Sequence, residues 1–234
     1  MKPPAPYRRS AAESHPPRLY PDYKSSVKRA PRHALVRVEQ TLSEITGPSR
    51  WRETLWDGDA DLTHANGGEA LGERIVVTGR VLGEDERPIR GALIEIWQAN
   101  ACGRYAHPSD QHRAPLDPHF TGIGRIMSDD RGEYRFLTIK PGAYPWGNHP
   151  NAWRPNHIHF SLFGAGLATR LVTQMYFPAD PLLAFDPIFQ SVPDEAARDR
   201  LVARFDIDVT QPDYALGYRF DFVLRGRDAT PMAA

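Results

Sequence analysis

The sequence predicts an all-β protein, a two-sheet β-sandwich with long loops. Short runs of β-branched and aromatic residues recur between residues 74 and 225, several with alternating apolar and polar side chains. Turn sequences separate these runs, for example Asp-Asp-Arg-Gly at 129–132. The 22 prolines, about 9% of the chain against a usual ~5%, are spread along its length and therefore favour long loops over a disordered tract.

Six segments carry the strand pattern, and they are residues 75–82, 92–97, 133–139, 157–163, 171–177 and 218–225. The last is the clearest, because the aromatic residues Tyr218, Phe220 and Phe222 occupy alternate positions. An alternating strand presents one set of side chains to the core and the other to its outer face. Two sheets of such strands can bury their apolar faces against each other.

One short helix is predicted in the C-terminal half. Ser191 is a suitable N-cap, and Asp194 and Glu195 favour the positive end of a helix dipole. An apolar stripe follows at Ala197, Leu201, Val202 and Phe205.

The chain divides into an arm and a single domain. Residues 1–50 are basic, rich in proline and only weakly periodic, which predicts an N-terminal arm that contacts a partner or the body of the protein. Residues 51–234 are predicted to form one β-sandwich domain, since the strand segments follow one another without a linker or a repeat.

Composition excludes several classes of protein. Lys plus Arg and Asp plus Glu both number 29, and this zero net charge argues against a nucleic-acid binder or a polybasic membrane protein. Cys102 is the single cysteine, so neither an intramolecular disulfide framework nor a cysteine-rich zinc site can form. No signal sequence and no stretch of ~20 apolar residues is present, so we expect a cytoplasmic protein.

His157 and His159 are the most informative polar residues. In a strand they point to the same face, while Ile158 and Phe160 point to the other. Two neighbouring imidazoles on one face make half of a metal site, although such a pair alone is also common on strands without metal. Burying both rings without partners would be costly, which favours the metal interpretation. No Asp or Glu follows within the next dozen residues, which argues against a carboxylate-completed, cupin-like site.

Two tyrosines are candidates to complete the site. Tyr105 follows Gly103 in one loop, and Tyr144 lies between Pro141 and Pro145 in another. Most loop tyrosines are simply half-buried amphipathic residues. The flanking prolines nevertheless stiffen the loop around Tyr144, which is suitable for holding a ligand atom in place.

The charge of this donor set favours ferric iron. Two phenolates and two neutral imidazoles carry a charge of minus two, and one hydroxide would then balance a trivalent cation. Fe(III) is acidic enough to lower the pKa of a phenol from about 10 and bind the phenolate at neutral pH, whereas Zn(II) and Cu(II) gain less. Four protein ligands with an open position indicate catalysis rather than a structural site.

Several motifs are shared, in the same order, with a known enzyme family. They include Glu-Ile-Trp-Gln-Ala-Asn at 95–100, Gly-Arg-Tyr at 103–105, Lys-Pro-Gly-Ala-Tyr-Pro-Trp at 140–146, and Trp-Arg-Pro at 153–155 with His-Ile-His at 157–159. Further matches lie at 21–24, 72–75, 114–118 and 173–177. The chain resembles the intradiol ring-cleaving dioxygenases across most of its length, and most closely the beta chains of the members that cleave protocatechuate.

The resemblance implies a mechanism. Tyr105, Tyr144, His157 and His159 are expected to hold a non-haem Fe(III), and a catecholic substrate is expected to bind it and react with O2 to give a dicarboxylic product. Tyr144 is then expected to leave the metal and accept a substrate proton. Arg154 is expected to stabilise negative charge on the reacting ring carbon.

The resemblance also implies a substrate pocket and a partner. Tyr23, Trp146, Gln174 and Ile188 resemble residues that line the pocket, whereas Trp97 fits the pocket and the core equally well. A homologous alpha chain is expected to complete a hetero-oligomer. Two alternatives remain: an intradiol dioxygenase for another substituted catechol, and a non-catalytic binding module, since the segments at 79–96 and 128–136 also resemble prealbumin-type sandwiches.

Overall fold

The computed structural model describes residues 12–36, 59–163 and 170–233. The strands in these residues are β1 (His64–Ala65), β2 (Gly68–Glu69), β3 (Arg74–Leu82), β4 (Leu93–Gln98), β5 (Ile123–Met127), β6 (Glu133–Ile139), β7 (Tyr144–Pro145), β8 (Trp153–Arg154), β9 (His157–Phe163), β10 (Arg170–Tyr176), β11 (Arg204–Phe205), β12 (Leu216–Arg219) and β13 (Phe222–Val223). The α-helices are α1 (Pro187–Gln190) and α2 (Glu195–Asp199), and the 3-10 helices are Ala12–Ser14, Lys24–Lys28, Pro181–Phe185 and Ile207–Val209.

Two sheets form the body. The first is antiparallel, with the order β10-β9-β4-β5. The second is centred on β3, which pairs with β6 on one side and in parallel with β12 and β13 on the other, while β11 pairs with β12 at the edge. Two short ribbons, β1-β2 and β7-β8, lie outside these sheets.

One apolar core lies between the sheets and holds them together. The first sheet contributes Ile96 from β4 and Phe160 from β9, and the second contributes Val77 from β3 and Phe136 from β6. All four are buried, and each such side chain contributes about 1.5–3 kcal/mol of transfer free energy. The prediction of a two-sheet sandwich is confirmed.

The strand predicted over 218–225 is interrupted. β12 and β13 keep one register along β3, since Arg219 is the partner of Thr78 and Phe222 is the partner of Val81. Between them, the amide of Arg80 donates to the carboxylate Oδ1 of Asp221 at 2.8 Å instead of to a main-chain carbonyl. The alternation itself is correct, because the aromatic side chains of this segment are all buried.

The predicted helix begins later than expected. Its N-cap is Asp194, whose carboxylate accepts a hydrogen bond from the amide of Ala197 at 3.2 Å. Ser191 instead ends α1, where its Oγ donates to the carbonyl of Ile188 at 2.6 Å, so the prediction of Ser191 as N-cap is wrong. The apolar stripe also stops early, because α2 ends at Asp199 and Phe205, which lies in β11, is 51% exposed.

Part of the predicted N-terminal arm lies against the body. The amide of Lys24 donates to Asn148 Oδ1 at 2.9 Å, and Asn148 Nδ2 donates to the carbonyl of Asp22 at 2.6 Å. Residues 1–11 and 37–50 of that arm lie outside the described residues, so the division at residue 50 stays a prediction. No helix in the described part of the chain is both long and apolar enough to cross a membrane.

Candidate metal centre

The two histidines lie side by side on β9. Their strand neighbours Ile158 and Phe160 are buried in the core between the sheets, so His157 and His159 occupy the opposite face. Their ring centroids are 4.7 Å apart and their Nε2 atoms are 3.1 Å apart. Because β9 is paired on both sides, this face is held by β4 and β10.

Close backbone contact between two loops places the tyrosines. Gly103 has a φ of +73°, and a Cβ at this position would lie 2.2 Å from the carbonyl oxygen of Ala143, so only glycine allows the approach. The amide of Tyr105 donates to Asp110 Oδ2 at 2.7 Å, which fixes that loop. The rings of Tyr105 and Tyr144 then meet edge to face, with centroids 5.4 Å apart.

The phenol and imidazole atoms form a continuous cluster. Tyr144 Oη is 3.3 Å from His157 Nε2, and His159 Nε2 is 3.1 Å from Tyr105 Oη. Metal–ligand bonds of about 2.0–2.2 Å at angles of about 90–110° place neighbouring donor atoms ~2.9–3.5 Å apart. The separations in this cluster therefore fit a single metal ion.

The hydrogen bond of His157 sets its tautomer. Its Nδ1 is 2.6 Å from the carbonyl oxygen of Pro155, which can only accept. Nδ1 therefore carries the proton, and Nε2 presents a lone pair to His159 and Tyr144. Such a second hydrogen bond orients the imidazole of a metal-ligating histidine.

Electrostatics keep both imidazoles neutral. Burial, with help from the Arg154 guanidinium and from His159, holds the pKa of His157 well below 6.5. Burial and Arg154 also lower the pKa of His159 to about 3, although its ring keeps some access to solvent. Neutral imidazoles are the form that binds metal.

The phenol of Tyr105 resists ionisation in the protein alone. Burial raises the pKa of Tyr105 well above 10, and the neighbouring Tyr144 adds to the effect. A cation that binds its phenolate must offset that cost, which a trivalent ion does better than a divalent one. Within the described residues, no group of three or more His, Cys, Asp or Glu side chains could hold a metal ion, so the tyrosines are needed to complete this donor set.

A buried polar network adjoins the cluster. Arg154 Nη2 donates to Gln174 Oε1 at 2.5 Å and lies 3.3 Å from both Tyr176 Oη and Asp186 Oδ2. Arg154 Nε is 3.2 Å from Asp186 Oδ1, an ion-pair contact that lacks the alignment of a hydrogen bond. Although burial alone would lower the pKa of Arg154, Asp186 foremost and then the surrounding tyrosines raise it above its usual value. Arg154 is thus a permanent cation at the site.

The predicted pocket residues surround this network unevenly. The ring of Trp146 lies 5.3 Å from Arg154 Cζ and 5.6 Å from the ring of Tyr23. Gln174 touches Arg154 directly, whereas Ile188 is buried in α1, two residues beyond Asp186. A cavity of about 600 Å³ lies next to Tyr23 and Ile188, but neither of them lines it.

Sequence comparisons place the chain in a family. The profile of the dioxygenase family matches residues 45–226, and that of the protocatechuate 3,4-dioxygenase beta subunit N terminus matches residues 7–41. The protocatechuate 3,4-dioxygenase beta chain of Burkholderia cepacia is 64% identical over 221 residues, which is 94% of each chain. The chain belongs to the intradiol ring-cleaving dioxygenases.

Other relatives agree with this assignment. The protocatechuate 3,4-dioxygenase alpha chain of Pseudomonas putida is 30% identical, over 83% of this chain and 89% of its own length. The crystal structure of 3-chlorocatechol 1,2-dioxygenase from Rhodococcus opacus 1CP aligns with a TM-score of 0.55 and 22% identity, covering 70% of this chain and 64% of that chain. The structural match shows a shared fold.

The candidate site also includes one residue whose place the sequence left open and two that the sequence did not indicate. Trp97 is 44% exposed, and its ring lies 5.1 Å from that of Tyr105 and 5.7 Å from that of His159, so it belongs to the site and not to the core. Tyr176 and Asp186 complete the network around Arg154. Tyr176 lies two residues after Gln174 in β10, so strand alternation starting from Gln174 could have indicated it, whereas no pattern in the sequence pointed to Asp186.

Proposed function

We propose that this intradiol dioxygenase is the iron-bearing chain of an enzyme that cleaves protocatechuate (3,4-dihydroxybenzoate) with O2 to 3-carboxy-cis,cis-muconate, a step of the beta-ketoadipate pathway of aromatic catabolism. The observation that carries the proposal is the cluster of two phenols and two imidazoles, whose neighbouring donor atoms are 3.1–3.3 Å apart. The beta chain that is 64% identical supports the choice of substrate.

Tyr105, Tyr144, His157 and His159 would hold a non-haem ferric ion. When bound, Fe(III) supplies a strongly acidic centre that takes up a catecholate and makes it reactive toward O2. The chain itself presents the Nε2 lone pair of His157 through the hydrogen bond from Nδ1 to Pro155, and keeps both imidazoles neutral. Tyr144 is the proposed base for a substrate hydroxyl, since its ring is less buried than that of Tyr105.

Arg154 supplies fixed positive charge next to the donor cluster. It is buried, and its cation is strong enough to lower the pKa of both histidines. A preorganised guanidinium in a site of low dielectric stabilises negative charge that develops on a bound ring. We assign Tyr23, Trp146, Gln174 and Ile188 to contacts with the rest of the substrate.

A second chain is part of the proposal. The relative that is 64% identical is a beta chain, and an alpha chain is 30% identical, so two homologous chains are expected to assemble. Residues from the partner would then complete the pocket for the ring substituent. Obligate interfaces bury large apolar areas, and we therefore expect the chain without its partner to aggregate or to lose iron.

Oxygen uptake tests the proposal directly. The chain, co-expressed with its alpha chain, is assayed with protocatechuate, catechol and hydroxyquinol, and its metal content is measured. We expect stoichiometric iron and the fastest uptake with protocatechuate. Faster uptake with another catechol would support ring cleavage but contradict protocatechuate as the substrate. No oxygen uptake by iron-loaded protein with any of the three would contradict the proposed enzyme activity. A fully active homomer of this chain would reject the need for a partner.

A further inference from the structure

Arg154 and Asp186 form a buried ion pair next to the candidate metal centre. Arg154 is 4% exposed and Asp186 is fully buried. The two carboxylate oxygens face Nε and Nη2 of the guanidinium at 3.2 and 3.3 Å, so the acid meets one edge of the planar group. Only the Nη2 contact has the alignment of a hydrogen bond, but two contacts along one edge restrict the plane and the direction of a guanidinium more than one contact does.

This pairing determines which nitrogen remains for a ligand. The contacts of Arg154 with side-chain oxygens, within the described residues, use Nε and Nη2, and Nη1 makes none. The ring of Trp146 covers one face of the guanidinium, with Arg154 Cζ 5.3 Å from its centroid. Nη1 is therefore the donor that can point at a bound ring.

Asp186 is itself fixed from two directions. Its Oδ1 accepts the amide of Ile188 at 3.2 Å and so caps α1, and its Oδ2 lies 3.2 Å from Tyr176 Oη. Tyr176 is in turn the register partner of His157 on β10 and β9. Asp186 thus ties the guanidinium to a helix and to β10, the neighbour of the strand that carries both histidines of the cluster.

We propose that Asp186 is a positioning residue for ring cleavage, which holds the guanidinium of Arg154 so that Nη1 faces the substrate. The inference rests on the proposed function, because it concerns the effect of Arg154 on the reacting ring. Among the described residues, Asp186 is the one carboxylate in contact with this guanidinium. Without it, the cation would be buried beside a ferric site with no compensating charge.

Asp186→Asn tests the proposal in the assembled holoenzyme. Asparagine caps a helix about as well as aspartate, so the substitution removes the charge while α1 keeps its cap. We expect kcat to fall by about 10²-fold, the cost of displacing a catalytic group by about 1 Å. KM and the visible absorption of the iron–phenolate centre should change little, since Asp186 acts on the reaction and not on the ligands.

The matched control is Asp194→Asn. Asp194 also caps a helix, through Ala197, but contacts no guanidinium in the described part of the chain, so kcat should stay at the wild-type value. Asp186→Glu keeps the charge and moves the carboxylate, and should restore part of the lost kcat. If Asp186→Asn gives no folded holoenzyme, Asp186→Glu decides instead: a lower kcat with unchanged KM supports positioning, and an unchanged kcat overturns it.

A double-mutant cycle separates positioning from a general structural role. In an Arg154→Ser background, Asp186→Asn should change kcat less than about 2-fold, because the group it positions is gone. The proposal would be overturned if the fold-losses in kcat of the two single variants multiplied in the double variant. A wild-type kcat in Asp186→Asn would overturn it as well. Unfolding midpoints of the assembled enzymes, measured without metal, give a second readout, since Asp186→Asn should lower the midpoint more when Arg154 is present. If the wild-type enzyme did not cleave protocatechuate, the proposed function would be rejected. The double-mutant cycle of unfolding midpoints would still measure the coupling between Arg154 and Asp186.

Discussion

Tyr144 and Arg154 are register partners in the two-stranded ribbon formed by β7 and β8. Side chains directly opposite each other on antiparallel strands have Cβ atoms about 4.5–5.5 Å apart. One ribbon therefore sets a proposed metal ligand beside the cation that is proposed to assist the reaction. The pairing of the two backbone segments, and not a bond between the side chains, sets the distance between Tyr144 and Arg154.

Replacing Arg154 should slow the reaction without emptying the metal centre. Arg154 makes its side-chain hydrogen bonds and its ion pair with Gln174, Tyr176 and Asp186, and none of these is a candidate ligand. In Arg154→Ser we therefore expect iron content to stay at the wild-type level and kcat to fall by about 10²–10³-fold, the effect of losing one preorganised charge partner. Metal analysis and steady-state oxygen uptake measure the two quantities. Arg131→Ser is the control, because Arg131 lies in an exposed turn. Normal turnover by Arg154→Ser would show that Arg154 has only a structural role.

Periodicity predicted the parts of the site that lie within one strand. The alternation in residues 157–163 correctly separates His157 and His159 from the buried Ile158 and Phe160. It predicted the sandwich for the same reason, because local patterns decide which face of a strand is buried. The composition of their loops made Tyr105 and Tyr144 candidates, and the motifs that resemble the intradiol family then joined them to the histidines, which spacing alone could not have done.

Contacts between distant segments were beyond such patterns. Arg154 and Asp186 are 32 residues apart, and their pairing depends on how the 3-10 helix Pro181–Phe185, which ends just before Asp186, packs against β8. Trp97 shares its face of β4 with Glu95, opposite the core residues Ile94 and Ile96, but only the pairing of β4 with β9 places it beside His159. The break between β12 and β13 likewise arises because the Asp221 carboxylate, and not a main-chain carbonyl, accepts the hydrogen bond from the amide of Arg80. Strand propensities do not predict such a replacement.

Trp97→Ala should loosen the metal centre more than the fold. The indole covers both Tyr105 and His159 and is 44% exposed, so its loss opens the site to water while removing only part of a buried surface. We expect iron to be lost to a chelator several-fold faster and the free energy of unfolding to fall by about 1–2 kcal/mol. Trp97→Phe keeps an aromatic cover and should retain iron nearly as well. Equal chelator rates in Trp97→Ala and wild type would show that the indole does not protect the site.

Tyr134→Phe should weaken the fold in a pH-dependent way. The buried Tyr134 hydroxyl donates to the carbonyl of Phe220, and its loss should cost about 1–3 kcal/mol at pH 8. Burial, reinforced by Asp221, raises the pKa of Tyr134 well above 10 in the folded state. Above pH 10 the unfolded chain loses this proton while the folded chain keeps it, so the contribution of Tyr134 to stability declines as pH rises.

Denaturant unfolding at pH 8 and at pH 10.5 measures this effect. The stability difference between wild type and Tyr134→Phe should be smaller at the higher pH. Iron content and kcat at neutral pH should match the wild type, because Tyr134 lies in the core between the sheets. A difference that grows with pH would contradict the assignment of a raised pKa.

The two tyrosines of the metal centre should differ when each is replaced by phenylalanine. Phenolate-to-iron(III) charge transfer absorbs visible light, so the purified holoenzyme should be red to brown. Tyr105 is buried under Trp97 and its loop is fixed by Asp110, whereas Tyr144 is less buried. Tyr105→Phe should therefore lose most of its iron. Tyr144→Phe should keep colour from Tyr105 but bind substrate more slowly, because the proposed base is gone.

Metal analysis, visible spectra and stopped-flow binding of a catechol without oxygen measure these outcomes. Tyr214→Phe, in which the replaced ring is 47% exposed and outside the cluster, should match the wild type in all three. Zinc, or no metal, in active and freshly purified protein would end the iron–phenolate assignment. Equal iron retention by Tyr105→Phe and Tyr144→Phe would leave the assignment of iron in place. It would contradict the proposal that Tyr105 stays bound to the metal while Tyr144 leaves it. That distinction depends on burial, which raises the pKa of the Tyr105 phenol and leaves the more enclosed ring least room to move away from a bound metal.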